Sequence, residues 1–325
     1  MKTTTITAAA AALALVAAGC GSDSTESAAS TVIEPATDQS TDATTPVGGT
    51  DASATTDPSP ADSGAGSDVA ALPDGCDPLP LKNDGSLTVA TGETVFPPWM
   101  GAGEDDFDDP STGTGYEGAL VFALADQLGL SDVQFVRTGF DSVIAPGEKD
   151  WDFNIQQYSI TPERDEVVDF SDGYYDVDQA IIGAADSPAA SATSIADLKD
   201  LRLGAAIGTT SLDYAENVID PSSDVQVYDD NSAAKAAFDA GQVDAIVFDL
   251  PTAYYITAVE ITDASIIGVL PAAEDPDELG MLFEDGSPLV PCVNAALATL
   301  RDDGTLDDLE ATWLNQGGDI PTISN

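Results

Sequence analysis

Short apolar strands and helical patterns alternate along most of this chain. The first half carries strand-like runs and one clear helical pattern: strands at 87–91, 134–136 and 151–155, with a helix over 117–129. The pattern restarts after residue 175: strands at 179–183, 203–207, 225–228 and 244–248, with a helix over 232–240. Strands and helices that alternate in this way predict α/β layers around a mostly parallel sheet.

The end of the chain adds a strand at 265–270 and two helices, over 289–301 and 304–314. About 250 residues of patterned sequence are enough for one two-lobed protein or for two ordinary domains. The pattern alone leaves both arrangements open.

The first 20 residues have the form of a secretory signal. Lys2 precedes an alanine-rich apolar run that is too short to span a bilayer, and Gly19-Cys20 follows. VAAGC (16–20) resembles a lipobox, in which the cysteine becomes the lipidated first residue, although Ala17 stands where leucine is commoner. We predict a lipidated Cys20 and a location on the outer face of the cell membrane, or in the periplasm where an outer membrane is present. A plain signal peptide is the alternative.

Residues 21–75 contain Ser, Thr, Ala, Asp, Gly and Pro but no basic or aromatic residue. Such a segment buries too little apolar surface to offset its ordering entropy, so it is predicted to be a disordered tether. No later segment is long and apolar enough to predict a transmembrane helix.

The charge balance excludes several classes of protein. The formal net charge is −49 with a sequence pI near 4.1, so an electrostatic grip on nucleic acid phosphates is excluded. The chain has no histidine, which rules out a Ser-His-Asp set and a histidine-based zinc site. The carboxylates of EDDFDD (104–109) suit calcium but lack the EF-hand spacing, so a solvated loop is favoured there. No metal or cofactor is predicted.

Arg164 is a scarce positive charge, because nine Lys and Arg stand against 58 Asp and Glu. It follows the apolar run WDFNI (151–155) and a polar cluster at 156–159. Its planar guanidinium matches a carboxylate with two parallel hydrogen bonds. The spacing leaves a surface ion pair open as the alternative, with Glu163, Asp165 or Glu166.

The residues around Arg164, SITPERDEVVDFSDGYY (159–175), resemble the signature of the family 3 solute-binding proteins, which capture amino acids for ABC importers. Three further segments resemble the family in the same order: GYEGALVFALADQLGL (115–130), LKDLRLGAAIGTTS (198–211) and AFDAGQVDAIVFDLPTAYY (237–255). The resemblance covers roughly 85–317. It implies an α/β, two-lobed periplasmic-binding-protein-like fold of type II with a two-strand hinge. The lobes would be 76–177 with 272–325, and 178–271.

The resemblance also implies a ligand site. Arg164 and the turn at Thr209 and Thr210 would hold the α-carboxylate of an amino acid. Asp249, the Ser159 hydroxyl and a backbone carbonyl near Gln157 would take its α-ammonium. From the residues alone, Thr209 or Thr210 is a helix N-cap, and Asp249 caps the helix that begins at Leu250.

The side-chain pocket is predicted at Glu93, Phe96, Phe140 and Tyr158, whereas Trp99 is predicted to lie in the core. Tyr158, Gln156 and Gln157 replace smaller residues common in the family, so ligand specificity is not transferred. No basic residue besides Arg164 stands among the predicted ligand positions. We therefore expect a neutral polar or cationic amino acid rather than glutamate or aspartate.

With Cys20 assigned to lipidation, an even pair of cysteines remains, Cys76 and Cys292. An exported chain favours a disulfide between them, and two free thiols are the alternative. The predicted protein is a monomeric binding protein rather than an enzyme. Its partners would be an amino acid, an ABC permease and the membrane through the anchor alone. A dehydratase-like enzyme on the same fold is the runner-up.

Overall fold

The computed structural model describes residues 72–102, 107–272, 277–314 and 319–325. Its strands are β1 (Ser86–Gly92), β2 (Asp132–Thr138), β3 (Phe153–Asn154), β4 (Asp169–Phe170), β5 (Tyr175–Val177), β6 (Gln179–Ala184), β7 (Leu203–Ala206), β8 (Gln226–Tyr228), β9 (Ala245–Asp249), β10 (Ala264–Val269), β11 (Asp277–Leu279) and β12 (Leu282–Phe283). None of the helices in these ranges is long and apolar enough to cross a membrane.

Most of the helices are short. They are α1 (Tyr116–Gln127), α2 (Phe140–Val143), α3 (Pro162–Asp165), α4 (Ile195–Leu198), α5 (Thr210–Tyr214), α6 (Asn231–Asp239), α7 (Leu250–Tyr255), α8 (Val290–Asp302) and α9 (Thr305–Trp313). Short 3₁₀ turns lie at Pro110–Thr112 and Pro188–Ser191, and single π-helical turns extend α5 and α7 over Ala215–Ile219 and Ile256–Glu260.

The first lobe is built on a five-stranded sheet with the order β2-β1-β3-β12-β4. Strand β1 runs parallel to β2 and β3, whereas β12 is antiparallel to its neighbours. Helices α1, α8 and α9 pack together, and their apolar side chains join one core with the sheet, including Leu120, Leu124, Val293 and Leu297. Because β12 comes from residue 282 onward, this lobe is assembled from two separate parts of the chain.

The second lobe is built on the sheet β10-β6-β9-β7-β8. Strands β7, β8 and β9 are parallel, and β6 lies antiparallel between β9 and β10. One face packs Ile181 and Val247 into a core with residues of α5, and the other packs Ile182 and Phe248 with residues of α6. The predicted strands of this unit are therefore found, each within about two residues of its expected bounds.

Two crossings join the lobes. Strand β5 leaves the first sheet and β11 returns to it, and the two pair antiparallel with Tyr175 opposite Leu279 and Val177 opposite Asp277. This pair is the predicted two-strand hinge. The two-lobed α/β fold of type II is thus confirmed.

The last residues of the chain correct the expected assignment of 272–325 to the first lobe. Thr322 pairs with Val269 of β10, and the Val269 amide donates to the Pro321 carbonyl at 2.9 Å. Ile323 is buried in the core of the second lobe. The tail packs there because β10 is an edge strand, whose free backbone groups accept another segment.

A disulfide joins Cys76 to Cys292 of α8, with 5.7 Å between their Cα atoms. The predicted pairing is therefore confirmed. A closed loop of this size stabilises the fold by about 5 kcal/mol in the chain-entropy model.

Leu72 lies within the predicted tether but packs against the core of the first lobe. The predictions for the signal peptide, for Cys20 and for the rest of the tether concern residues outside the described ranges.

Candidate ligand-binding site

A cavity of about 280 Å³ lies between the two lobes. Its wall is formed where β1, β3, β7 and β9 end, together with the turns that follow. All but one of the ten predicted ligand residues lie on this wall: Glu93, Phe96, Phe140, Gln157, Ser159, Arg164, Thr209, Thr210 and Asp249. The structure thus brings together residues that are more than 150 positions apart in the sequence.

Arg164 is held by backbone carbonyls from both lobes. It sits in α3, whose N-cap Thr161 accepts a hydrogen bond from the Arg164 amide at 3.3 Å. Its guanidinium donates to the Ser159 carbonyl at 2.6 Å and, across the cleft, to the Gly208 carbonyl at 2.8 Å. Within the described part of the chain it makes no ion pair, so the alternative of a surface ion pair is wrong.

Burial lowers the pKa of Arg164, while the phenol of Tyr158 and the carboxylates of Asp213, Asp277 and Asp249 act in the opposite direction. The guanidinium nevertheless remains charged, as arginine does throughout proteins. A half-buried positive charge whose hydrogen bonds go to neutral carbonyls is receptive to an anion.

The turn before α5 combines capping with cavity lining. Thr209 Oγ1 accepts from the Leu212 amide at 3.1 Å, so Thr209 is the N-cap that the sequence predicted. The Thr210 hydroxyl lies 3.3 Å from that of Ser159, across the cleft. At Gly208 φ is +72°, which favours glycine, and a Cβ would lie 2.4 Å from Asp141 Oδ1, so a larger residue where the lobes meet would require Asp141 to move.

Asp249 ends β9, and its side chain makes no capping bond to α7. It accepts from Gln179 Nε2 at 2.7 Å. Burial raises the pKa of Asp249 to about 7, and the negative charge of Asp277 also raises it. The hydrogen bond from Gln179 and the positive charge of Arg164 lower it. A cation placed beside this carboxylate would therefore stabilise its ionised form.

Glu117 is a second buried carboxylate next to the site, and the sequence reasoning missed it. It is 0% exposed and accepts hydrogen bonds from the Gln157 amide at 2.8 Å, the Tyr174 hydroxyl at 2.5 Å and Gln157 Nε2. Burial raises the pKa of Glu117 to about 7; these bonds oppose the shift and the charge of Asp249 adds to it. The available signal was a carboxylate on the apolar stripe of α1, three residues before Leu120.

Local geometry places Glu117. The first amides of α1 donate to the carbonyls of Pro98 and Trp99, and the Trp99 carbonyl lies directly against Gly115. At Gly115 φ is +84°, and a Cβ would lie 2.5 Å from the Trp99 oxygen. The Glu117 bonds in turn hold Gln157, whose φ of +52° is left-handed for a residue other than glycine.

Tyr158 is the predicted pocket residue that does not line the cavity. It is buried, stacks on Phe140 with 4.2 Å between ring centroids, and donates its hydroxyl to the Phe140 carbonyl. The Arg164 guanidinium lies 5.3 Å from the Tyr158 ring. Tyr158 therefore supports two wall residues from behind, because its side chain packs into a buried cluster of the first lobe with Val168 and Leu282.

The rest of the pocket is strongly acidic. Arg164 is the single basic residue on the described wall, whereas carboxylates come from Glu93, Asp229, Asp230 and Asp249. Nothing in the sequence singles out Asp229 or Asp230; the latter also caps α6, accepting from the Ala233 amide at 2.7 Å. Trp99, predicted as core, is 2% exposed and also lines the cavity.

No group of His, Cys, Asp and Glu side chains in the described ranges has the geometry of a metal site. Residues 104–106 of the acidic loop are outside those ranges, so the solvated loop favoured there over a calcium site stays a prediction.

The profile of the bacterial extracellular solute-binding proteins, family 3, matches residues 87–316. The L-cystine-binding protein TcyJ of Escherichia coli K12 is 28% identical over 243 residues, which cover 74% of this chain and 86% of TcyJ.

Two ancestral proteins are similar in structure. An ancestral arginine-binding protein with arginine bound is 30% identical, with a TM-score of 0.61 over 71% of this chain and 99% of that one. Its structure with glutamine bound has the same sequence identity, TM-score and coverage. AncCDT-1, an ancestral amino acid-binding protein and precursor of cyclohexadienyl dehydratase, is 30% identical, with a TM-score of 0.59 over 71% and 96% of the two chains.

Proposed function

This chain belongs to the bacterial extracellular solute-binding proteins of family 3, and from this we propose that it captures one amino acid between its lobes for an ABC importer. One observation carries the proposal. The wall of a single cavity holds an arginine without a carboxylate partner and a carboxylate without a cationic one, as far as the described residues go: Arg164 and Asp249. The two charged ends of an amino acid supply both missing partners.

The α-carboxylate would lie on Arg164. Two of the five guanidinium N–H groups already bond to carbonyls, which fix the plane of the group, and the others remain for a ligand. The Thr210 hydroxyl lies on the same part of the wall. An arginine held by neutral groups in this way is oriented for a carboxylate before the ligand arrives.

The α-ammonium would lie on Asp249, with the Ser159 hydroxyl and the Gln157 carbonyl as further acceptors. A buried carboxylate without a countercharge is costly, and a bound ammonium removes that cost. The Glu117 carboxylate adds negative charge close to the same place. The arrangement therefore favours a zwitterionic ligand over a simple carboxylic acid.

The side chain of the ligand would be neutral and polar or cationic. With Arg164 bound to the α-carboxylate, the remaining charges on the described wall are carboxylates, including Glu93. A glutamate or aspartate side chain would be buried there without a countercharge. The ancestral relative solved with arginine and with glutamine is consistent with this class.

Delivery to a permease, anchoring through a lipidated Cys20 and a monomeric state complete the proposal. Family membership supports an extracellular or periplasmic location. The resemblance of VAAGC to a lipobox supports the anchor.

Binding without turnover is the better hypothesis, although AncCDT-1 is described as the precursor of a dehydratase. The chain has no histidine to act as a general acid or base at neutral pH. The carboxylates of Glu117 and Asp249 accept hydrogen bonds from neighbouring residues, which fits a binding role.

A thermal-shift screen against the twenty amino acids, followed by titration calorimetry, tests the proposal. Arginine, lysine, glutamine or a similar ligand is expected to raise the melting temperature, and glutamate and aspartate are expected to leave it unchanged at both low and high salt. Glutamate or aspartate as the tightest ligand at both salt concentrations would overturn the side-chain assignment. A screen in which no amino acid binds would overturn the proposal itself, and product formed from a cyclohexadienyl acid would favour the enzyme.

A further inference from the structure

Gln179 joins three parts of the molecule through one side-chain amide. It is the first residue of β6, directly after the hinge strand β5, and is 6% exposed. Its Nε2 donates to Asp249 Oδ1 at 2.7 Å and to Asp277 Oδ2 at 3.2 Å. Its Oε1 accepts the Ser211 hydroxyl at 2.6 Å.

The three hydrogen-bond partners of Gln179 lie in different parts of the fold. Asp249 is the proposed acceptor for the ligand's ammonium and lies opposite Gln179 in the β6–β9 pairing. Ser211 lies in α5, next to Thr210 at the other end of the site. Asp277 begins β11, the second crossing of the hinge. One amide therefore fixes both ends of the ligand site relative to the hinge.

The chemistry of this position demands a carboxamide. Asp249 and Asp277 are like charges that repel each other, and two N–H groups on one nitrogen can serve both at once. The Ser211 hydroxyl needs an acceptor on the same side chain. A carboxylate provides no donor, a methionine provides only a weak sulfur acceptor, and a leucine provides neither donor nor acceptor. In the described ranges, Gln179 is the only hydrogen-bond donor to the Asp249 carboxylate.

We infer that Gln179 is a positioning residue for amino-acid binding: it holds the Asp249 carboxylate toward the ligand's ammonium and ties it to α5 and to β11. This inference rests on the proposed function of the site. Gln179 does not line the cavity and acts through Asp249 rather than on the ligand.

Gln179→Glu tests the inference with almost no change in shape. The new carboxylate would face Asp249 and Asp277 directly. Arg164 and Glu117 lie beyond Asp249. Gln179 also lines a second cavity beside the hinge, where the further charged groups are Asp178 and Asp213. At about pH 8 the donor is lost and a negative charge is added. At about pH 5.5 the carboxyl regains a proton and can donate again. Gln179→Met removes the amide donor and the amide acceptor at every pH. Gln226→Glu, on the exposed strand β8, makes the same change of charge away from the site and is the control.

Calorimetry with L-arginine and with L-glutamine would be run on the four proteins at both pH values. At about pH 8, Gln179→Glu and Gln179→Met are expected to bind roughly tenfold to a hundredfold more weakly than wild type. The deficit of Gln179→Glu relative to wild type should shrink at about pH 5.5, and that of Gln179→Met should not. Gln226→Glu should match wild type.

Near-wild-type binding by Gln179→Glu at about pH 8, or a deficit equal at both pH values, overturns the inference while leaving the proposed function intact. Wild type that binds no amino acid overturns both. Circular dichroism checks that the variants fold. If Gln179→Glu does not fold, Ser211→Ala replaces it: it removes the hydrogen bond from α5 to Gln179 Oε1 without adding charge, and unchanged binding there would refute the role.

Discussion

The indole Nε1 of Trp99 in the first lobe donates to the Thr252 hydroxyl in the second, over 2.9 Å. Trp99 is almost fully buried and lines the cavity, so this bond closes the cleft beside the ligand site. It accompanies the Arg164–Gly208 bond and the Ser159–Thr210 contact, which also cross the cleft. These contacts across the cleft involve residues of the proposed ligand site, so closure of the two lobes and ligand binding are expected to depend on the same residues.

Thr252→Val should weaken amino-acid binding about twofold to tenfold, because one hydrogen bond across the closed cleft is lost and the indole N–H stays unpaired. Titration calorimetry measures the effect. Thr257→Val is the matched control, since the Thr257 hydroxyl bonds to the Ala253 carbonyl within its own helical segment. Equal affinities for wild type and Thr252→Val would mean that this bond does not contribute to the bound state.

Arg164→Ala should abolish measurable binding while the protein stays folded. Loss of one partner of a buried charge pair costs about 2–5 kcal/mol, or roughly 30-fold and upward in affinity. Arg202→Ala is the control, because Arg202 pairs with Asp244 on the surface and does not line the cavity. Near-native affinity in a folded Arg164→Ala protein would remove this residue from the site.

Ligand affinity should fall as the pH is lowered from about 8 to about 5.5. The pKa of Asp249 is raised to about 7 in the ligand-free protein, so its carboxyl is largely protonated at the lower pH. An ammonium group needs the ionised form, and the loss should be roughly tenfold or more. Calorimetry in buffers of different ionisation enthalpy should also detect proton release on binding below about pH 7. Affinity independent of pH would argue that the ammonium lies elsewhere.

The ligand-free protein should lose stability as the pH rises from about 5 to about 8. The pKa of Glu117 is raised from 4.5 to about 7, so its protonated form is favoured in the folded state. The stability contributed by Glu117 is complete below its pKa in the unfolded state and is lost as the pH rises through its pKa in the folded state. The pKa of Asp249 is also raised, so Asp249 contributes in the same direction.

Glu117→Gln should flatten this dependence, with an effect on the order of a few kcal/mol across the window. Denaturant unfolding at several pH values measures it. The exposed Glu216→Gln variant should keep the wild-type slope. A Glu117→Gln protein with the wild-type slope would assign the dependence to other groups.

Local pattern predicted the longer elements well. Helix α1 and strands β1, β6 and β9 lie within about two residues of their predicted bounds, because the periodicity of apolar residues is a property of consecutive positions. Strands β4 and β12 have only two residues each and carry no such periodicity. Their place in the first sheet is decided by pairing between distant segments. The discontinuous lobe followed from family resemblance, since pattern alone left two consecutive domains open.

The charged and hydroxyl residues at strand ends, including Arg164 and Asp249, can be identified from the order of residues alone. Which side chains face the cavity depends on how distant segments pack. Tyr158 turns inward to stack on Phe140, and Glu117 approaches the site from within an apolar helix. Gln179 bonds to Asp249 only because β6 and β9 pair in register. Composition and spacing fix which groups are present, whereas direction, burial and pairing depend on contacts between segments far apart in the chain.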